Sequence, residues 1–137
     1  MDIWQLTATE LASLISKGEI SAVDATQSHL SRMNEANQKI NAVVEGCQVE
    51  ALREAKQIDA NLRKGLQLGP LAGVPVTVKV NVDQEGYATT NGLQLQKDLL
   101  AQKDNPVVNN LRKAGAIIIG RTNTPAFSLR WFTRNVI

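Results

Sequence analysis

The spacing of apolar residues divides the chain into a helical first part and a second part that contains strands. Between residues 8 and 17, apolar side chains recur three and four positions apart, and Thr7 with Glu10 forms a capping-box pattern at the start. Similar spacing predicts a second helix from Ser21 to about Asn34 and a third helix over residues 48–63. The first part is therefore predicted to form a layer of three helices.

The apolar spacing changes to strict alternation after the turn-rich residues 65–70. Residues 74–82 carry valine at every even position, with Thr77, Lys79 and Asn81 among the odd ones. Alternation of this kind is typical of a strand with one face in a core. We therefore expect the valines to point inward and Lys79 to lie on the opposite face.

A strand, a helix and a second strand are predicted in the second part. A loop-like region over residues 83–104 precedes a helix that Pro106 opens and Gly115 closes, and residues 116–120 form an almost wholly apolar strand. This order favours a parallel βαβ unit with both sheet faces buried. Since proline lacks a backbone donor, Pro75 indicates that the first strand begins unpaired or at a sheet edge.

The predicted fold class is α/β, with N-terminal helices followed by the start of a mixed or parallel sheet flanked by helices. A length of 137 residues fits one small domain. We assign residues 1–137 to a single domain, with residues 1–64 as the helical layer and residues 70–137 as the beginning of the α/β core.

Composition and charge exclude several classes of function. The 15 basic and 13 acidic residues are scattered, so nothing suggests a nucleic-acid or membrane-surface partner. The single Cys47 has no disulfide partner and, like the lone His29, no companions at metal-ligand spacing. No segment approaches the roughly 18 apolar residues of a membrane span, and no glycine-rich phosphate motif occurs. We expect a cytoplasmic protein with neither metal nor cofactor.

Four ordered segments of the second part resemble one known family. The first, residues 69–79, reads Gly-Pro-Leu-Ala-Gly-Val-Pro-Val-Thr-Val-Lys, and residues 89–92 read Thr-Thr-Asn-Gly. They are followed by the helix and apolar strand over residues 106–120 and by Arg-Thr-Asn-Thr-Pro at residues 121–125. Together they resemble the amidase signature family, and the N-terminal helices resemble that family too. The resemblance therefore covers nearly the whole chain.

The resemblance implies hydrolysis of a small-molecule carboxamide by a serine, a bridging serine on a cis peptide bond and a catalytic lysine. Lys79 occupies the position of that lysine. A lysine must be neutral to accept a proton, and burial away from water favours the neutral amine. In isolation Lys79 also fits a solvated side chain on a strand, and only the resemblance favours the catalytic role.

None of the six serines of the chain lies in a segment like the glycine- and serine-rich one that carries both family serines. We therefore expect a fragment that carries only the lysine and is inactive alone. Ser128, Leu129 and Trp131 fall where the family runs beside its substrate pocket, although a packed core or a cut end explains them equally well. The chain departs from the family pattern at Val80 and Ala126, where acidic residues are usual.

Two other functions remain open from the sequence. One is a non-catalytic module that pairs with itself or with a chain carrying the serines, because an unfinished sheet leaves apolar edges and faces uncovered. The other is a part of an A-type subunit of a glutamine-dependent tRNA amidotransferase, which the same resemblance allows. On either view we expect a homo-oligomer or a complementing chain. The sequence leaves the amide substrate undecided.

Overall fold

The computed structural model describes residues 2–137 as an α/β fold with a small mixed sheet. The helices are α1 (Ala8–Ser16), α2 (Ala22–Ile40), α3 (Gln48–Arg63) and α4 (Pro106–Lys113), and the strands are β1 (Val43–Gly46), β2 (Pro75–Lys79) and β3 (Ile117–Thr122). Short 3-10 turns occur at Ile3–Gln5, Gln94–Gln96 and Ala126–Ser128. This confirms the predicted fold class. Within residues 2–137, no helix combines the length and the apolar character needed to cross a membrane.

Side-chain caps explain where several helices begin. The Thr7 side chain accepts a hydrogen bond from the Glu10 backbone, and the Glu10 carboxylate accepts one from the Thr7 backbone, so the predicted capping box is present. Helix α4 begins in a similar way, because the Asn105 side chain accepts from the Val107 backbone N–H. The predicted bounds of α1, α3 and α4 are confirmed to within a residue or two.

Helix α2 and strand β1 correct the prediction in one linked region. We expected the second helix to end near Asn34, but it continues to Ile40, where Asn41 adopts a left-handed conformation with φ of 45°. The side chain of Asn37 then holds Val43 by donating to its carbonyl at 2.7 Å and accepting from its N–H at 2.8 Å. The sequence-based prediction missed both features because the polar end of α2 and the four-residue β1 contain too few apolar residues to show the regular spacing of a helix or a strand.

The sheet has the strand order β1-β3-β2, with β3 in the centre. Strand β2 pairs with β3 in parallel, as predicted, and β1 pairs with β3 antiparallel. The register between β2 and β3 shifts between Val76 and Thr77. Strand β2 forms one edge of this sheet, which confirms the expectation drawn from Pro75.

Two apolar cores lie on opposite faces of the sheet. On one face, Ile117 and Ile119 of β3 pack with buried residues of α1, α2 and α3. On the other face, Ile118 packs with Val78 of β2 and Val108 of α4. The prediction that both sheet faces are buried holds for β3 but is wrong for β2, where Thr77 and Lys79 are exposed. The reason is that the helical layer packs on the centre of the sheet and leaves this side of its edge open.

Candidate active site

Lys79 is the last residue of β2 and lies beside Thr122 of β3, at the carboxyl edge of the parallel pair. Its neighbours Val78 and Val80 are buried, with 6% and 1% of their surface exposed. These two valines anchor the strand while the Lys79 side chain reaches solvent. Within residues 2–137, Lys79 forms no salt bridge. The described residues therefore position the amine but do not provide the burial that favours its neutral form.

A polar network lies directly after Lys79 and includes Ser128, one of the predicted substrate-lining residues. Asn81 Nδ2 donates to Ser128 Oγ at 3.2 Å, and Ser128 Oγ lies 2.8 Å from Oγ1 of the fully buried Thr124. Within residues 2–137, the buried Oδ1 atom of Asn81 has no hydrogen-bond partner. The structure thus brings Ser128 to the segment that follows the lysine.

The backbone around Ser128 is held in an unusual conformation. Phe127 and Ser128 have φ values of 51° and 58°, a left-handed region that non-glycine residues seldom adopt. The Phe127 N–H donates to the Asn91 carbonyl at 2.9 Å. A Cβ added at Gly92 would collide with the Thr124 carbonyl oxygen, so only glycine allows this approach. Residues 89–92 and 121–125 therefore pack together at the edge where β2 ends.

Leu129 and Trp131, the other two predicted lining residues, lie on the surface. Leu129 is 81% exposed and Trp131 is fully exposed. The alternative that these side chains pack in a core is therefore wrong for both. Their role beside a substrate pocket stays a prediction. Other large apolar residues of the same segment are also exposed, namely Phe127, Phe132 and Val136.

Arg121 is a structurally important residue that sequence reasoning did not single out. Its side chain is completely buried and donates to Glu45 Oε2 at 2.9 Å, to the Ala88 carbonyl at 2.6 Å and to the Val82 carbonyl at 3.0 Å. Arg121 thereby fastens the loop that follows Lys79 to the central strand and to β1. The signal in the sequence is a charged residue that directly continues an apolar strand, since a buried charge needs partners.

Cys47 is buried on the other face of the sheet, and the partly buried Tyr87 packs against the same cluster. Burial raises the pKa of the Cys47 thiol above its ordinary value of 9.0, although hydrogen bonds with Tyr87 and Gln84 act in the opposite direction. Burial also raises the pKa of the Tyr87 hydroxyl, and its contact with Cys47 adds to the effect. Both groups are therefore neutral at pH 7. Among residues 2–137, no three His, Cys, Asp or Glu side chains form a group suited to a metal ion.

The sequence and the fold both match known amide-cleaving proteins. The profile of the family described as Amidase matches residues 24–137. The chain is 50% identical to the indoleacetamide hydrolase of Bradyrhizobium diazoefficiens over 133 residues, covering 97% of this chain and 25% of that protein. It is 38% identical over 128 residues to the A-type subunit of the glutamyl-tRNA(Gln) amidotransferase of Salinispora tropica, covering 93% of this chain and 26% of that protein.

Among solved structures, fatty acid amide hydrolase superposes with a TM-score of 0.86 at 30% identity, over 90% of this chain and 22% of that one. The peptide amidase of Stenotrophomonas maltophilia gives a TM-score of 0.82 at 29% identity, over 90% and 26% of the two chains. The chain thus spans about a quarter of the length of the relatives that it matches. Because the family profile covers most of its residues, the chain belongs to the amidase family.

Proposed function

We propose that this chain is the lysine-bearing part of an enzyme that hydrolyses a carboxamide to a carboxylate and ammonia. The observation that carries the proposal is the position of Lys79, at the end of β2 and at the edge where residues 89–92 and 121–125 converge. Three of the segments that resemble the amidase signature family thus meet at the end of the strand that carries Lys79. The serines would come from residues outside these 137.

The proposed chemistry assigns Lys79 the role of general base. The nucleophilic serine would pass its proton through a bridging serine to the neutral lysine as it attacks the amide carbonyl. The lysine would then return the proton to the leaving nitrogen, and water would hydrolyse the acyl-enzyme. Lys79 is exposed within residues 2–137. Burial of Lys79 under further polypeptide would favour the neutral amine that a general base needs. Because the described residues do not bury it, we propose that the chain is inactive alone.

The substrate that we propose is an aryl-acetamide. Support comes from the 50% identity to the indoleacetamide hydrolase, which exceeds the 38% identity to the amidotransferase relative. Ser128, Leu129 and Trp131 would line the pocket for the aryl group, because Ser128 contacts Asn81, two residues after Lys79, and the other two follow Ser128 in the chain. A cytoplasmic location belongs to the same proposal, since the single buried Cys47 suits a reducing compartment.

A module for assembly is the second candidate function. The exposed apolar side chains of the C-terminal segment, residues 126–137, favour it, because Leu129, Trp131 and Val136 are each more than four-fifths exposed. Apolar surface of this kind favours association with another chain or another copy. A third candidate is the A-type subunit of a tRNA amidotransferase, supported by relatives of that name at 33–38% identity.

A chimaera tests the leading proposal. These 137 residues would replace the matching quarter of the Bradyrhizobium diazoefficiens indoleacetamide hydrolase, and ammonia release from indoleacetamide would be measured. We expect activity in the chimaera, and a loss of about 10²-fold or more in kcat when Lys79→Ala is introduced, because the general base is removed. Lys103→Ala is the matched control, since Lys103 is an exposed lysine on a loop.

The results separate the three functions. A folded chimaera whose activity survives Lys79→Ala would refute the catalytic role. A folded but inactive chimaera, together with a discrete oligomer of the 137-residue chain in light scattering, would favour the assembly module. Activity with glutamine but not with indoleacetamide would favour the amidotransferase function.

A further inference from the structure

Strand β2 pairs with β3 on one side and, within residues 2–137, has no strand partner on the other. At the two ends of β2, the Val74 carbonyl accepts from the Ile117 N–H at 2.9 Å, and the Val80 N–H donates to the Thr122 carbonyl at 2.9 Å. Successive residues of a strand direct their backbone groups to opposite sides, so the even-numbered residues between these ends bond to β3. The odd-numbered residues of β2 therefore direct their backbone groups to the open edge.

The open edge carries only a few hydrogen-bonding groups. Its donors are the backbone N–H groups of Thr77 and Lys79, because Pro75 has none. Its remaining acceptors are the carbonyls of Pro75 and Thr77, since the Lys79 carbonyl already accepts from the Val82 N–H at 3.0 Å. Donors and acceptors are thus equal in number and are arranged symmetrically about Thr77.

A second copy of the chain matches this arrangement. If two β2 strands lie antiparallel with Thr77 opposite Thr77 of the second copy, the two threonines exchange both N–H···O bonds. The Lys79 N–H of each copy then donates to the Pro75 carbonyl of the other copy. Every donor of the edge obtains an acceptor in this way. The N–H that Pro75 lacks would lie opposite the Lys79 carbonyl, which Val82 already satisfies.

Other antiparallel registers of the same two strands are less favourable. Pairing centred on Pro75 would place two prolines opposite each other, where neither supplies a donor. Pairing centred on Lys79 would place two like charges directly opposite, which is destabilising. Proline and lysine are residue types that protect sheet edges from indiscriminate association. Pro75 and Lys79 therefore restrict the pairing of this edge to the register centred on Thr77.

The side chains of the edge leave room for a second strand. Thr77 and Lys79 are exposed, because the helical layer packs on the centre of the sheet. In the register centred on Thr77, the two threonine side chains become direct cross-strand neighbours, which is a favourable pair in sheets. Each Lys79 side chain lies beside a proline of the other copy and meets no like charge.

We propose that the 137-residue chain forms a dimer in which the β2 strands of two copies pair antiparallel about Thr77 and join the two sheets into one. A strand of five residues is only about 17 Å long. The interface therefore falls below the roughly 1,200 Å² of a stable complex, and we expect a weak dimer with a Kd of about 10 µM to 1 mM. This dimer gives the assembly module a specific interface and does not depend on a catalytic role for Lys79, which the chimaera tests separately.

Cysteine trapping in the 137-residue chain tests the register. Residues in a directly opposite hydrogen-bonded pair have Cα atoms about 5.5 Å apart, which a disulfide can bridge. Thr77→Cys changes an exposed side chain and is expected to give a covalent dimer under mild oxidation. Lys79→Cys is the matched control on the same strand. Its two cysteines would lie about 14 Å apart, so we expect little covalent dimer. The buried Cys47 is common to both variants.

Sedimentation velocity between about 10 µM and 1 mM measures the association without a cross-link. Thr77→Lys places two like charges opposite each other on the edge and is expected to weaken the dimer at least about threefold at low salt. Thr9→Lys adds the same charge at an exposed threonine of α1 and should leave the association unchanged. The Thr77 backbone amide should exchange with solvent more slowly at high than at low protein concentration, because only the dimer gives it an acceptor.

Several outcomes would overturn the dimer. A chain that stays monomeric up to about 1 mM would do so, as would equal cross-linking of Thr77→Cys and Lys79→Cys. Equal losses of association in Thr77→Lys and Thr9→Lys would indicate general charge repulsion instead. An oligomer that Thr77→Lys leaves unchanged would place the contact elsewhere on the chain. A Thr77 amide that is already protected in the monomer would show that the edge is not open.

Discussion

The helical layer and the C-terminal segment both contain many apolar residues, yet only the first buries them. Ile15, Ala25 and Ala51 of the helices are completely buried, whereas Leu129 and Trp131 of residues 126–137 are at least four-fifths exposed. In the helices, apolar residues recur with the helical period and form continuous faces. The C-terminal segment has one 3-10 turn and two left-handed residues, so its apolar side chains share no face. Periodic placement, rather than apolar content, decides what is buried.

The candidate active site lies where these two regions differ. The helical layer covers the centre of the sheet but not the face of β2 that bears Thr77 and Lys79. The polar groups of the C-terminal segment reach the same edge through the contact between Ser128 and Asn81. The lysine is therefore held by a well-packed scaffold on one side and bordered by an exposed apolar segment on the other.

Matched truncations in the two regions give the largest expected contrast. Ile15→Ala leaves a cavity in the core and should lower the free energy of unfolding by about 2–5 kcal/mol. Trp131→Ala removes a fully exposed ring and should change it by less than about 0.5 kcal/mol. Urea unfolding of both variants measures the difference. A large loss in Trp131→Ala would mean that the C-terminal segment packs more closely than its exposure indicates.

A glycine between α4 and β3 tests whether the α/β half is packed as tightly as the helices. Gly115 has a φ of 87°, and a Cβ there would lie 2.8 Å from the Ala72 Cα. Gly115→Ala should lower the free energy of unfolding by about 2–4 kcal/mol, from left-handed strain and overpacking together. Gly65→Ala is the control, because Gly65 has a φ of 72° with nothing within 4 Å and should lose only about 1–2 kcal/mol. Equal losses would argue against close packing at Ala72.

Alkaline pH should weaken the region around Cys47 and Tyr87. The folded chain raises the pKa of both groups, so it holds their protons more tightly than the unfolded chain does. The stabilisation is fully present below the ordinary thiol pKa of 9.0 and is lost as the pH rises through the folded values. Urea midpoints measured between neutral and alkaline pH should fall, and the decline should be shallower in Cys47→Ala and Tyr87→Phe. An unchanged slope in both variants would assign the decline to other groups.

The smallest expected effect is at the exposed start of the helical layer. Hydrogen bonds from the side chain and the backbone of Thr7 hold the pKa of Glu10 below its ordinary value of 4.5. The contribution of Glu10 to the stability of the folded chain is therefore fully present above pH 4.5, the ordinary pKa of the carboxyl. It is lost as the pH falls through the lower pKa of the folded chain. An NMR titration should place the Glu10 carboxyl below 4.5 in the chain and closer to it in Thr7→Ala. The same value in both proteins would mean that the cap does not persist in solution.

The sequence by itself determined the elements whose signals are local. Helices α1, α3 and α4 and strands β2 and β3 all follow from apolar period, caps and turn residues near in sequence. The placement of Lys79 on the polar face of β2 follows from the same alternation, and the ordered motifs indicated the amidase family without help from the fold.

Only the tertiary structure decided the features that depend on contacts between distant residues. Strand β1 exists because Val43, Glu45 and Gly46 pair with β3, and α2 extends as far as the turn that Asn37 holds. The burial of Arg121 arises where segments far apart in sequence meet. Exposure of Lys79 was decided in the same way, because a strand pattern assigns a side chain to a face but cannot tell what covers that face.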